Sequence, residues 1–212
     1  MNRIQLVCFD LGGVLIQICD GWHEACQRAG LAVPDHLKKP QQQPKITDLL
    51  HRHETGQIDD HTFDTLIAQQ LGLTPQQVDA IARAWLKKPY PNLDNLLDQL
   101  QHTDTPTACL SNTNRRHYHM MTQEDDSPTA LPLRRLDYCF LSYQLGAIKP
   151  EPAIYEQVEK HTGLPPEAIL FFDDMVENIT AARQRGWLAH QIDRAGDPVS
   201  QMTRWLARCG VL

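Results

Sequence analysis

Short apolar runs, each ending abruptly at a polar residue, constrain the fold of this 212-residue chain more than any other feature. Residues 4–9 (I-Q-L-V-C-F) stop at Asp10, residues 107–110 (T-A-C-L) at Ser111, and residues 169–172 (I-L-F-F) at Asp173 and Asp174. Residues 138–141 (Y-C-F-L) form a further run, and 188–192 (L-A-H-Q-I) a fifth. The runs lack the alternation of a strand with one wet face, so they suit buried parallel strands covered on both sides. The segments between them carry helical spacing. Residues 91–101 place Leu93, Leu96, Leu97 and Leu100 on one face, 151–162 end before Gly163, 175–185 before Gly186, and 198–208 carry Val199, Met202, Trp205 and Leu206. Strand–helix alternation of this kind predicts an α/β fold, a doubly wound, mostly parallel Rossmann-like sheet.

Residues 17–90 interrupt the alternation. They show helical patterns at 20–29 and 59–71, and Thr74-Pro75-Gln76-Gln77 makes a capping box for a helix running to about Lys87. No convincing strand is visible there, and K-K-P-Q-Q-Q-P-K at 38–45 reads as a polar loop. The expected organisation is a core of residues 1–16 and 91–212 with a helical insertion at 17–90. Residues 122–129 read as an exposed loop. A net charge of −6 with no basic block argues against a nucleic-acid partner, and no run approaches the length of a membrane helix. The six cysteines include no C-x-x-C pair, which argues against a zinc knuckle or thioredoxin-type motif, and Cys8, Cys109 and Cys139 sit in apolar runs as free thiols do. The expected protein is reduced and cytoplasmic, a monomer or a homodimer.

The chemistry lies at the strand ends. In open α/β sheets ligands bind beyond the carboxyl ends of the strands, where strand order reverses. Asp10, Ser111-Asn112, Lys149 and Asp173-Asp174 would gather there as a carboxylate nucleophile, a hydroxyl, a cation and an acid pair. Phosphoryl transfer through an aspartyl phosphate needs that set. F-D-L-G-G-V-L (9–15), C-L-S-N-T-N (109–114), G-A-I-K-P-E-P-A-I-Y (146–155) and F-F-D-D-M-V-E-N (171–178) resemble, in order, the four motifs of the haloacid dehalogenase superfamily, and the likeness spans essentially the whole chain. The insertion sits where that superfamily places its helical cap. The small bacterial phosphatases with a D-L-G-[NG]-V first motif, such as the alpha-glucose-1-phosphate phosphatases, are the most similar subgroup.

The resemblance implies roles. Asp10 would attack phosphorus. Asp10, Asp174 and the main-chain carbonyl of Gly12 would hold Mg²⁺, with Asp173, through water, and Asn178 supporting the metal. Ser111, the amides of Asn112, Leu11 and Gly12, and Lys149 would bind phosphate. The expected substrate is a small phosphorylated metabolite such as a sugar phosphate. One position departs from the superfamily pattern. Its phosphatases usually carry an acid two residues after the nucleophile, and here that residue is Gly12. General acid–base help is typically worth ~10²–10⁴-fold. Three consequences stay open: a substrate with a good leaving group such as a sugar 1-phosphate, a proton from Asp20, His23 or His117, or a weakly active or non-catalytic sugar-phosphate binder. A 2-haloacid dehalogenase is the alternative reaction, opposed by the acid pair. A phosphonate-cleaving enzyme would need a cap lysine, for which Lys38, Lys39 and Lys45 are the positions. The pairs His51/His53 and His117/His119 could bind metal, Trp22 and Trp85 could touch substrate, and Arg115 and Arg116 could meet a hydroxyl or phosphate; each suits the core or the surface at least as well.

Overall fold

All five apolar runs form strands in the computed structural model, which describes residues 4–33, 44–123 and 127–212. In chain order the elements are β1 (Leu6–Phe9), β2 (Ile16–Ile18), α1 (Trp22–Arg28), α2 (Pro44–Glu54), α3 (Asp60–Leu71), α4 (Pro75–Trp85), β3 (Leu86–Pro89), α5 (Leu93–Gln101) and β4 (Thr107–Ser111). They continue with α6 (Arg115–Thr122), β5 (Tyr138–Leu141), α7 (Ser142–Leu145), α8 (Pro152–Thr162), β6 (Ile169–Asp173), α9 (Val176–Gln184), β7 (Leu188–Gln191) and α10 (Pro198–Arg208).

The main sheet is parallel throughout, in the order β5-β4-β1-β6-β7. The alternation of side chains along a strand sorts the core into two layers. Val7 and Phe9 of β1 and Leu170 and Phe172 of β6 join one layer, packed against Leu96 and Leu97 of α5 and Met202 and Leu206 of α10. Leu6, Cys8, Ile169 and Phe171 face the other, against Ile154 and Val158 of α8 and Ile179 of α9. Both faces are therefore apolar, which is why the strands read as unbroken runs. β1 is the central strand, with β4 and β5 on one side and β6 and β7 on the other, so the winding reverses at the end of β1.

The helices α1–α4 pack around a third cluster containing Trp22, Cys26, Ile46, Phe63, Ile67, Val78 and Ile81. The capping box at Thr74 forms as expected, with the Thr74 side chain accepting from Gln77 N and the Gln77 side chain accepting from Thr74 N. The strandless reading of 17–90 is wrong at both ends. β2 and β3 pair antiparallel, extended by Cys19 N donating to Trp85 O (2.9 Å) and Tyr90 N to Leu15 O (3.0 Å). α4 accordingly stops at Trp85, where Leu86 turns extended. α2 begins at Pro44, inside the segment expected to be loop, while 38–43 lie outside the described residues. In 122–129 the exposed reading fails at Thr129, which is buried with its hydroxyl donating to Met120 O. All six cysteines are free. No helix among the described residues is long and apolar enough to cross a membrane.

Candidate active site

The end of β1 delivers Asp10 to the switch point, and its neighbours bring the rest. Asp10 N donates to Phe172 O (2.8 Å), locking the residue after β1 to β6. Lys149, on the segment between α7 and α8, extends a buried side chain between two acids. Its Nζ lies 2.9 Å from Asp10 Oδ1 and 2.6 Å from Asp173 Oδ2. The lysine's backbone is held by a reciprocal pair: Asn112 Nδ2 donates to Lys149 O and Lys149 N donates to Asn112 Oδ1, both at 2.8 Å. Ser142 Oγ links the same two segments, accepting from Thr113 N and donating to Thr113 O. Ser111 closes β4 with its side chain buried.

Asp173 is fully buried and saturated with donors. Its oxygens accept from Lys149 Nζ, from Met175 N (2.8 Å) and from Asn178 Nδ2 (3.0 Å to each). Asn178 is held by α9, whose Asn178 carbonyl accepts from Tyr155 OH. Asp174, half-buried, keeps its carboxylate freer, with Arg194 Nη1 3.8 Å away. Gly13 explains that approach. It has φ +76°, and a Cβ there would stand 2.6 Å from Asp174 Oδ2. Only glycine satisfies both demands.

The acids Asp10, Asp173 and Asp174 present carboxylate oxygens that all lie within 4.8 Å of one another. Three carboxylates around one ammonium leave negative charge in excess, and the titration behaviour reflects it. Burial pushes Asp10 up to about 7 against the pull of Lys149, with Asp173 and Asp174 adding to the rise. Burial and Asp173 raise Asp174. Burial works against the Lys149 charge, but Asp10 and Asp173 more than offset it and hold the ammonium firmly protonated. An all-oxygen donor set with uncompensated charge fits a hard divalent cation.

Other expected candidates lie elsewhere. The Leu11 amide donates to Asp10 Oδ1 at 2.7 Å, so it orients the carboxylate. A Cβ on Gly12 would touch Ile18 side-chain atoms at 3.3 and 3.4 Å, so that position faces β2. Asp20 is exposed and bonds Arg194 Nη2 at 2.7 Å, and His23 is exposed. His117 sits under α4, where Nε2 donates to Ala82 O and Nδ1 accepts from Asn114 Nδ2; burial lowers it to about 4. None of these three donates into the acid cluster. The histidine pairs are not metal pairs: His51 bonds Glu151, His53 bonds Asp60 and stacks on Phe63, and His119 contacts Gln123. Trp22 is buried against Trp85. Arg116 is buried on Asp64 and Asp79, whereas Arg115 is exposed beside His53, Gly56 and Tyr143. Lys38 and Lys39 lie outside the described residues, and Lys45 is exposed on α2.

Two residues near the site escaped the sequence reading. Arg194 follows the last strand and bridges Asp20 and Asp174; counting two residues past the end of that run would have found it. Glu54 ends α2 and carries no sequence signal, but burial pushes its carboxyl up to about 7 against the charges of His51 and Lys149.

Comparison with known proteins agrees with this geometry. The pattern of a family described as haloacid dehalogenase-like hydrolases matches residues 4–186. The D-ribitol-5-phosphate phosphatase of Bacteroides thetaiotaomicron is 29% identical over 94% of this chain and 97% of its own length. A chain from Porphyromonas gingivalis, described as a predicted HAD-like family hydrolase, superposes with TM-score 0.81 at 25% identity, covering 96% of this chain and 98% of that one. The HAD family enzyme BT-2542 of B. thetaiotaomicron, solved with magnesium and inorganic phosphate, superposes with TM-score 0.75 at 25% identity over 92% and 96%.

Proposed function

We propose that this chain, which belongs to the haloacid dehalogenase-like hydrolases, is a Mg²⁺-dependent phosphatase that cleaves a small phosphorylated metabolite, a sugar or polyol phosphate, through an aspartyl phosphate on Asp10. One observation carries the reading. Asp10 stands beside a buried ammonium while two further carboxylates crowd the same few ångströms. Such a cluster is electrostatically poor by itself and suits a site that binds a cation together with a phosphate. The B. thetaiotaomicron relatives support the substrate class and the metal, since one is named for D-ribitol 5-phosphate and another was solved with magnesium and phosphate.

In this reading Asp10, Asp174 and the Gly12 carbonyl hold Mg²⁺, and Asp173, already saturated by protein donors, supports the metal through water. When bound, the ion neutralises charge between an anionic nucleophile and an anionic phosphate. Lys149 favours the ionised form of Asp10 against its burial and meets the charge developing on the phosphoryl oxygens. Ser111 Oγ and the amides of Asn112 and Gly12 hold the other oxygens. The Leu11 amide fixes the attacking carboxylate rather than the phosphate. Helices α1–α4, the proposed cap of residues 17–90, pack beside this edge, with His51 on Glu151 and Asp64 on Arg116, and would supply the contacts to the rest of the substrate.

The test is phosphate release from ribitol 5-phosphate, glucose 1-phosphate and other sugar phosphates, with Mg²⁺ or EDTA, by the wild type and Asp10→Asn. Release should require both Mg²⁺ and Asp10. Turnover in EDTA, or in the variant, removes the mechanism, and chloride release from 2-haloacids in EDTA would replace it with the dehalogenase reaction.

A further inference from the structure

Expelling the alkoxide of a sugar or polyol phosphate requires a proton, and the cluster around Asp10 has none to give. Asp10 is the nucleophile, Asp174 is assigned to the metal in the reading above, Asp173 has both oxygens engaged by donors, and Lys149 is committed as a cation to two acids. Gly12 and Gly13 carry no side chain.

Building on the phosphatase reading above, we infer that Glu54, at the end of α2, is the catalytic acid that protonates the leaving oxygen and then the base that activates water. Several contacts put it there. His51 and Glu54 are three residues apart and share a face of α2. That face is turned to the core, because His51 Nε2 lies 3.1 Å from Glu151 Oε1, two residues from Lys149. Glu151 in turn accepts from Ile148 N through its other oxygen. Immediately beyond, the chain presses on the core at Gly56, where a Cβ would come within 2.2 Å of Tyr143 O. The last turn of α2 is therefore clamped onto the segment that carries Lys149. Thr55 secures the turn by donating to His51 O at 2.7 Å.

Within that clamp the half-buried Glu54 carboxyl has no hydrogen-bond partner among the described residues, so it is free to meet a ligand, and it lies in the field of Lys149. Its position near 7 suits a group that must be protonated in one step and ionised in the next. The balance is complete. As an Asp10 oxygen bonds to phosphorus and the ester P–O bond breaks, the Glu54 proton passes to the departing oxygen. The resulting Glu54 carboxylate then takes a proton from the water that attacks phosphorus. Phosphate leaves, Asp10 is regenerated and Glu54 is protonated again.

Leaving groups separate this role from a structural one. Nitrophenolate departs without a proton, so the first turnover of p-nitrophenyl phosphate by Glu54→Gln should match the wild type. Its later turnovers should stall, with phosphoaspartate accumulating at Asp10. Turnover of ribitol 5-phosphate and glucose 1-phosphate should fall by about 10²-fold or more in the same variant, and Glu54→Asp should restore part of it. First-turnover rates that fall equally for both kinds of ester, or a variant with unchanged sugar-phosphate turnover, would overturn the assignment. A wild type that forms no phosphoaspartate from any of these esters would instead overturn the phosphatase reading, and this inference with it.

Discussion

Asp10→Asn should abolish turnover and, in EDTA, make the folded protein more stable at neutral pH. Burial and the neighbouring acids move the Asp10 carboxyl from 3.8 to about 7, despite Lys149. Between those values the native state holds a proton that the unfolded chain has already released. Stability therefore falls as pH rises, by about 1.4 kcal/mol per pH unit for one proton. A rise of roughly three units sets a ceiling near 4 kcal/mol, fully felt above pH 7 and absent below pH 4. Asparagine keeps the shape and removes the charge, at the expense of the contact with Lys149 (2.9 Å). Urea unfolding of both proteins in EDTA at several pH values would measure the difference. The variant should gain about 2 kcal/mol or more at pH 8, with the gain shrinking towards pH 4, and Mg²⁺ should narrow it by stabilising only the wild type. A variant less stable than the wild type at pH 8 would show that the Asp10–Lys149 pair outweighs the crowding of acids, and the reasoning about excess charge would fail.

Three other outcomes follow from the same contacts. Gly13→Ala puts a Cβ 2.6 Å from Asp174 Oδ2 at φ +76°, so Mg²⁺ affinity measured by calorimetry should fall at least about tenfold; unchanged affinity would remove Asp174 from the metal site. Arg116→Ala strips the buried Asp64 of its partner at 2.7 Å and should cost about 3 kcal/mol in urea unfolding, whereas a loss below about 1 kcal/mol would class the pair with surface ion pairs. His117→Gln should leave the pH–rate profile intact. It should also reduce the loss of stability as pH falls from 6.5 to about 4, since burial makes the unfolded state the better proton acceptor there; a vanished limb in the rate profile would return His117 to the list of proton donors.

The strand ends were legible because burial on both faces leaves a continuous apolar run, and because a polar residue stops each run where the sheet meets solvent. Asp10, Ser111, Asp173 and Asp174 could be read in that way, and Lys149 came from the motif around it. The β2–β3 ribbon could not. Ile16-Gln17-Ile18 is too short to show a period, and Leu86-Lys87-Lys88-Pro89 has none of the β-branched residues that mark a strand. Its pairing depends on contacts far apart in the chain, Ile16 with Pro89 and Ile18 with Leu86. Gly12 shows how far a motif reaches. The sequence places an absence there, and Asp20, His23 and His117 were drawn in as substitutes because they were near in the chain or carried a suitable ring. The structure sends Asp20 to Arg194 and His117 to Ala82. Glu54 was invisible since nothing local distinguishes an acid at a helix end; its surroundings come from α2 docking against Glu151 and Tyr143.

The central claim is that Asp10 becomes covalently phosphorylated. Mixing the enzyme with Mg²⁺ and p-nitrophenyl phosphate, quenching in acid within one turnover and mapping the peptides by mass spectrometry tests it most directly. The account predicts one added phosphoryl group on Asp10, lost on standing with Mg²⁺ and absent from the Asp10→Asn protein. Rapid nitrophenolate release with Asp10 unmodified at every quench time, or a phosphoryl group on another residue, would contradict it.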